Sequence, residues 1–210
     1  MVLFLHVTSH VDGDPHQGLL QEKGGRGFPH LVFMDSNGEV LAKQRERSVE
    51  AFETTRKACM QFLELDRKAK AGDKSVGADL LIARIEMGSI TLAEAKEAEA
   101  GLGKVKAEKK ARIFELMLDL EVEDAMAGVR TRTQAAEVGR RFAEMWGQGR
   151  APKKGRPAST FFGLILEAAA QDKDAKLYER ALAKYEKVAP QGKNRERTIE
   201  RLRKRLDDIR

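Results

Sequence analysis

Two short apolar runs separated by a turn sequence stand out near the start of the chain. The runs cover residues 30–34 and residues 40–43, with Asp-Ser-Asn-Gly-Glu between them at residues 35–39. Asn and Gly tolerate the positive φ angles of tight turns, and both runs consist mainly of residues that favour strands. The pattern therefore predicts a β-hairpin.

The segment that enters this hairpin has a signal of its own. A glycine-rich stretch, residues 24–27, leads to Phe28 and Pro29. Proline has no N–H to donate to a ladder, so Pro29 is expected at the first position of the strand. An X-Pro bond is where a cis peptide costs little, and we predict a cis bond between Phe28 and Pro29.

The hairpin is flanked by one further strand signal and one helix signal. Residues 2–7, from Val2 to Val7, are largely apolar on both faces, which is typical of a strand inside a parallel sheet. Ser48 is a suitable N-cap for a long helix that carries an apolar stripe and ends near Gly72.

From residue 75 onward the apolar period is helical throughout. Thr91 and Glu94 have the spacing of a capping box at the start of one helix. Residues 150–158 are rich in Gly, Pro, Lys and Arg and predict a stiff basic linker, after which Ser159 is expected to cap the next helix. The short connections favour antiparallel helical neighbours.

The order of the first elements carries a family resemblance. Gly27-Phe28-Pro29, the run that follows and the Asn37-Gly38 turn resemble the cis-proline loop and terminal hairpin of the thioredoxin-like family. The resemblance covers residues 1–71. It implies that Gly27, Phe28 and Pro29 border a groove for an extended substrate or partner.

The last helices are similar in part to a tetratricopeptide repeat. Ala181 and Tyr185, with Pro190 beyond them, have the spacing of the second helix of such a repeat, but the regular repeat length is missing. We therefore expect an α/β fold, a partial thioredoxin-like sheet with a cis-proline loop and terminal hairpin, followed by an all-α array of helical hairpins. The expected limits are 1–71 for the thioredoxin-like domain, 72–149 for a helical region, 150–158 for the linker and 159–210 for the tetratricopeptide-like hairpins.

The redox-active segment of the thioredoxin-like family is missing from this chain. Domains of the family that this chain resembles begin with a further strand and a helix that carries Cys-x-x-Cys. The one cysteine of this chain, Cys59, is expected in the middle of a helix. A strand at residues 2–7 without a neighbour would leave backbone groups unpaired. We expect a partner protein, a second copy of the chain or later helices to cover that edge, or the natural protein to begin upstream of Met1.

These features favour a binding function over a catalytic one. Disulfide exchange needs an attacking and a resolving thiol, so we expect the chain as given to be redox-inactive and to use no cofactor. We interpret it as a non-catalytic protein-binding or scaffold module. Two alternatives stay open: the C-terminal part of a thiol-disulfide oxidoreductase whose Cys-x-x-Cys lies upstream of Met1, and a basic helical nucleic-acid binder.

Composition excludes a membrane-spanning protein. Hydrophobic residues make up 41% and charged residues 34% of the chain. No apolar run approaches the roughly 18 residues that a membrane span needs, and the start has neither the charged region nor the cleavage site of a signal peptide. We expect a cytoplasmic protein without membrane contact.

The net charge of +6 is concentrated in the C-terminal half. Residues 126–158 carry eight basic and two acidic side chains, and residues 193–210 carry eight and four. Nucleic acid is one interpretation, with Arg150, Lys153, Lys154 and Arg156 as the contacts. We favour a solvated basic surface, because aromatic residues do not interleave with these cations.

All four histidines fall within the first thirty residues. His10, Asp12, Asp14 and His16 carry imidazole and carboxylate donors of the kind that ligate zinc. Their spacing matches no zinc signature, so we favour ordinary loop residues and expect no metal.

Overall fold

A computed structural model of the chain describes residue 13, residues 15–44 and residues 46–210. The described residues form two compact units, one ending at Ile90 and the other comprising Thr91–Arg210. The domain limits expected at residues 71 and 149 stay predictions. In chain order the elements are α1 Leu19–Glu22, β1 Val32–Met34, β2 Val40–Lys43, α2 Val49–Lys70, a turn of 3-10 helix at Lys74–Val76, α3 Gly77–Glu86, α4 Leu92–Ala100, α5 Ala107–Ala127, α6 Arg132–Gly147, α7 Gly155–Gln171, α8 Ala175–Val188 and α9 Arg195–Asp207.

The predicted hairpin is confirmed. Strands β1 and β2 pair antiparallel, with Val32 opposite Lys43 and a bulge between Phe33 and Met34. In the turn, the Asp35 carboxylate accepts hydrogen bonds from the backbone N–H groups of Asn37 (2.8 Å) and Glu39 (2.9 Å). Gly38 has φ of +80°, which explains why glycine occupies this position.

A small core joins the hairpin to the following helices of the first unit. Leu41 and Ala42 of β2 are buried with Cys59 of α2, and Phe33, Phe62 and Met87 pack around them. Helix α2 begins where the sequence predicts, because the Ser48 hydroxyl accepts a hydrogen bond from the Ala51 N–H at 3.2 Å. The strand predicted for residues 2–7, and the dimer edge assigned to it, lie outside the described residues.

The second unit is an array of helices around one large core. Helix α7 lies between α6 and α8 and also contacts α5, while α9 packs against α8 and α4 against α5. The α6–α7 interface is aromatic: the rings of Phe142 and Phe161 stack at 4.6 Å, and Trp146 meets Phe162 edge-on at 5.3 Å. The coarse fold class expected from the sequence, a small sheet followed by an array of helices, is therefore confirmed.

One predicted boundary in this unit is wrong. Helix α7 begins at Gly155, so residues 155–158 belong to a helix and not to a linker. Ser159 is therefore inside the helix, where its hydroxyl donates to the carbonyl of Arg156 at 2.9 Å instead of capping. Pro157 misled the sequence interpretation, because proline is well tolerated in the first turn of a helix, where its missing N–H has no partner to lose.

Helix caps account for two other boundaries in the second unit. The predicted capping box of Thr91 and Glu94 is confirmed at the start of α4. Thr131 and Gln134 form a second capping box at the start of α6, which the sequence interpretation missed.

Candidate functional site

The loop that precedes the hairpin is anchored at its first residues. Gly25 is buried, and its N–H donates to the carbonyl of Leu20 in α1 at 2.7 Å. A Cβ atom at this position would lie 2.9 Å from the same carbonyl and 2.9 Å from the His30 ring. Glycine is thus required here so that α1, the loop and the start of the hairpin can approach one another.

Two side chains hold the ends of the same loop in place. A ring nitrogen of half-buried His30 lies 3.0 Å from the carbonyl oxygen of Lys23. The ammonium group of Lys43, in β2, donates to the carbonyl of Gly24 at 3.3 Å. These contacts fix both the entry and the exit of residues 24–30, which we call the Phe28 loop.

The tip of the Phe28 loop projects into solvent. Phe28 is 69% exposed, and Gly27 and Pro29 are exposed beside it. The Phe28–Pro29 peptide bond is cis, the isomer expected from the sequence. The three residues expected to border a partner groove are thus together on an accessible and well-anchored loop.

Chemistry at the single thiol is disfavoured by its surroundings. Cys59 is 5% exposed among the apolar residues of the first unit. Burial raises the pKa of the Cys59 thiol above its ordinary value of 9.0, which lowers the fraction of reactive thiolate. A buried thiol of this kind is expected to be unreactive.

Three of the four residues considered for metal binding, His10, Asp12 and Asp14, lie outside the described residues. The fourth, His16, is exposed just before α1. Across the described ranges, no three His, Cys, Asp or Glu side chains are grouped so that they could hold a metal ion. Metal binding by these four residues therefore stays untested, and ordinary loop residues remain the favoured interpretation.

Two of the four cations expected to contact nucleic acid are engaged within the protein. Arg150 pairs with Glu121 at 2.8 Å, and Lys153 pairs with Glu115 at 2.5 Å, so both hold the segment before α7 against α5. The hydrogen bond from Lys153 lowers the pKa of the Glu115 carboxyl. Lys154 and Arg156 are exposed beside them.

A second basic surface was not singled out from the sequence. It is the outer face of α9, where Arg197, Arg201 and Lys204 are all exposed. A shallow depression on this face is lined by polar and charged residues: Asn194, Arg197, Thr198, Glu200, Arg201 and Lys204. The three cations follow an i, i+4, i+7 spacing, which places them on one face of a helix and could have revealed this surface. The sequence-based interpretation rests only on the basic excess of residues 193–210.

Within the described part of the chain, no helix is both long enough and apolar enough to cross a membrane. Comparison with protein-family models, with curated proteins and with solved structures gives no significant match.

Proposed function

We propose that the chain is a non-catalytic protein-binding module of thioredoxin-like type, in which the Phe28 loop contacts an extended segment of a partner protein. The observation that carries this proposal is a large aromatic side chain, 69% exposed, on a loop whose two ends are held by hydrogen bonds. Phenylalanine is among the aromatic residues that are enriched in the cores of protein–protein interfaces. A loop that is already ordered loses little further entropy when a partner binds.

The chemistry of the thiol supports binding over catalysis. Exchange of a disulfide requires a reactive thiolate and a second thiol to resolve the mixed disulfide. The sequence contains only Cys59, and that thiol is buried with a raised pKa. The helical second unit would act in this proposal as a scaffold that presents further protein-binding surface.

Peptide selection tests the proposal even while the partner is unidentified. A random peptide library displayed on phage is selected on the full chain, and the Kd of the enriched peptides is measured by calorimetry. We expect Phe28→Ala to weaken binding at least about tenfold, the effect of removing an aromatic hot spot. Amide resonances of the Phe28 loop should shift when the wild-type protein binds the peptide.

Met60→Ala is the matched control. Met60 is 60% exposed on α2 in the same unit, so its truncation removes a comparable amount of accessible apolar surface. We expect this variant to bind the peptides as the wild type does. Failure to enrich any peptide, or enriched peptides whose affinity is insensitive to Phe28→Ala, would contradict the proposal.

The coding sequence upstream of Met1 tests the oxidoreductase alternative. An in-frame Cys-x-x-Cys in the coding sequence upstream of Met1 would favour it, and the Phe28 loop would then be the substrate-binding part of a catalytic protein.

A further inference from the structure

Helix α9 has an apolar face and a basic face with clearly separate roles. Ile199 and Leu206 are each 7% exposed, and Leu202 and Ile209 also lie on the inner side, against the core of the second unit. Tyr178 of α8 donates a hydrogen bond to the carbonyl of Leu202 at 3.1 Å. The inner face therefore fixes the position of α9 and leaves the outer face exposed.

The cations on the flanks of α9 are used within the protein. Arg205 pairs with Glu167 of α7 at 2.6 Å, and Arg203 pairs with Glu186 of α8 at 2.9 Å. The terminal Arg210 pairs with Glu179 at 3.0 Å. The carboxylates of α7 and α8 that face α9 are thus all paired with cations on the flanks of this helix.

The cations on the outer face are left without such partners. Among the described residues, no carboxylate lies within ion-pair distance of Arg197, Arg201 or Lys204. At a rise of 1.5 Å per residue, the three side chains form a row about 10 Å long. Lys193 is exposed just before the helix and adds a further positive charge near its N-terminal end.

We propose that this row, which we call the α9 row, binds the phosphate backbone of double-stranded nucleic acid without reading its sequence. Arginine and lysine are the side chains that contact phosphates, and a duplex carries about one charge per 1.7 Å of its axis, so several phosphates fit along 10 Å. This site is separate from the Phe28 loop and does not depend on the function proposed for it.

The composition of the face favours a duplex over other anionic partners. Single-stranded nucleic acid is usually held by aromatic side chains that stack on bases, and α9 contains no aromatic residue. Helices that bind membrane surfaces insert an apolar face, whereas the apolar face of α9 is buried in the core. Glu200 lies in the same depression and would oppose every anionic ligand.

Salt dependence provides the test. Binding of the full chain to a fluorescein-labelled 20-base-pair duplex is measured by anisotropy between 50 and 200 mM NaCl. If the three cations each neutralise one phosphate, they account for about 2.7 of the slope of log K against log[salt], which corresponds to about 40-fold of the affinity lost over this range. The triple variant R197Q/R201Q/K204Q should lose this part of the slope.

Two further variants distinguish a loss of binding at the α9 row from the effects of lower net charge and of misfolding. The triple variant K104Q/K106Q/K110Q removes the same charge from exposed lysines of the same unit and should keep the wild-type slope. Glu200→Gln removes the opposing carboxylate and should tighten binding about two- to fivefold, a gain that a folding defect cannot produce.

The same series identifies the alternatives. Equal slopes for the α9 triple variant and the wild type, or equal losses in both triple variants, would overturn the proposal. It would also be overturned if vesicles containing phosphatidylserine, a polyglutamate peptide or the single-stranded oligonucleotide bound through the α9 row more tightly than the duplex.

Discussion

Gly139 of α6 lies so close to the backbone of Leu164 in α7 that a Cβ atom on the glycine would collide with the Leu164 carbonyl oxygen. The same atom would lie 2.9 Å from the Cβ of Ala168. The two helices thus approach at a point where neither has room for a larger side chain. The stacked rings of Phe142 and Phe161 occupy the interface between the same two helices.

Gly139→Ala should destabilise the second unit. The new methyl group meets backbone rather than a flexible side chain, so the helices must move apart, at a cost of about 1–3 kcal/mol in the free energy of unfolding. Urea unfolding followed by circular dichroism measures this change.

Gly163→Ala is the matched control for this prediction. Gly163 is also inside a helix, α7, but its nearest neighbour for a Cβ atom is a ring carbon of Tyr185 at an ordinary 3.7 Å. Alanine is a better helix former than glycine, so this variant should gain up to about 1 kcal/mol. Equal effects of the two substitutions would contradict the close approach at Gly139.

The ion pair of Glu167 and Arg205 should make stability depend on pH. Arg205 donates two hydrogen bonds to the carboxylate, at 2.6 and 3.2 Å, and these lower the pKa of Glu167 from its ordinary 4.5. The folded protein therefore binds fewer protons at this site than the unfolded chain does. The resulting stability is fully present above pH 4.5 and is lost as the pH falls below it.

Glu167→Gln measures that contribution. At pH 7 the variant should be less stable by about 1 kcal/mol, and the difference from the wild type should shrink as the pH falls below the ordinary pKa. Glu144→Gln, on the exposed side of α6, is the control and should change stability little at either pH. A difference that stayed constant down to pH 3 would show that the ion pair is not its cause.

Cys59 should react slowly and support no redox turnover. A buried thiol with a raised pKa is both shielded and poor in thiolate, so labelling by iodoacetamide at pH 7.5 should be much slower than in denaturant. We expect no reduction of insulin above the rate of dithiothreitol alone. Cys59→Ser should leave that background unchanged. Insulin reduction above the background that Cys59→Ser abolishes would contradict the inert role of the thiol.

The hairpin and the starts of α2 and α4 were predictable because they depend on neighbours in the sequence. The turn at residues 35–39 is closed by the Asp35 side chain and by Gly38, and both requirements are local. Ser48 and Thr91 likewise cap their helices through hydrogen bonds three residues away. Such signals depend on the local sequence and not on the rest of the fold.

The local sequence led to a wrong prediction at residues 150–158, where glycine and proline are compatible both with a linker and with the first turn of a helix. Between residues 150 and 158, proline and glycine predicted a linker, but Gly155 and Pro157 fit the first turn of α7. The sequence predicts a solvated basic surface that includes Arg150 and Lys153, yet Glu121 and Glu115 pair with these two cations. Their partners are about thirty or more residues away along the chain, so no local pattern could reveal them.

The sequence by itself determined the hairpin, its glycine-rich entry, the caps of α2 and α4 and the helical period, because each follows from short-range sterics and hydrogen bonding. Only the tertiary structure decided which charges are neutralised and which surfaces stay accessible. Arg205 and Arg201 are four residues apart on one helix, but Glu167 reaches only Arg205. That difference arises from which side of α9 faces Glu167 once the helices are assembled, since long-range charge pairing depends on where helices lie in space.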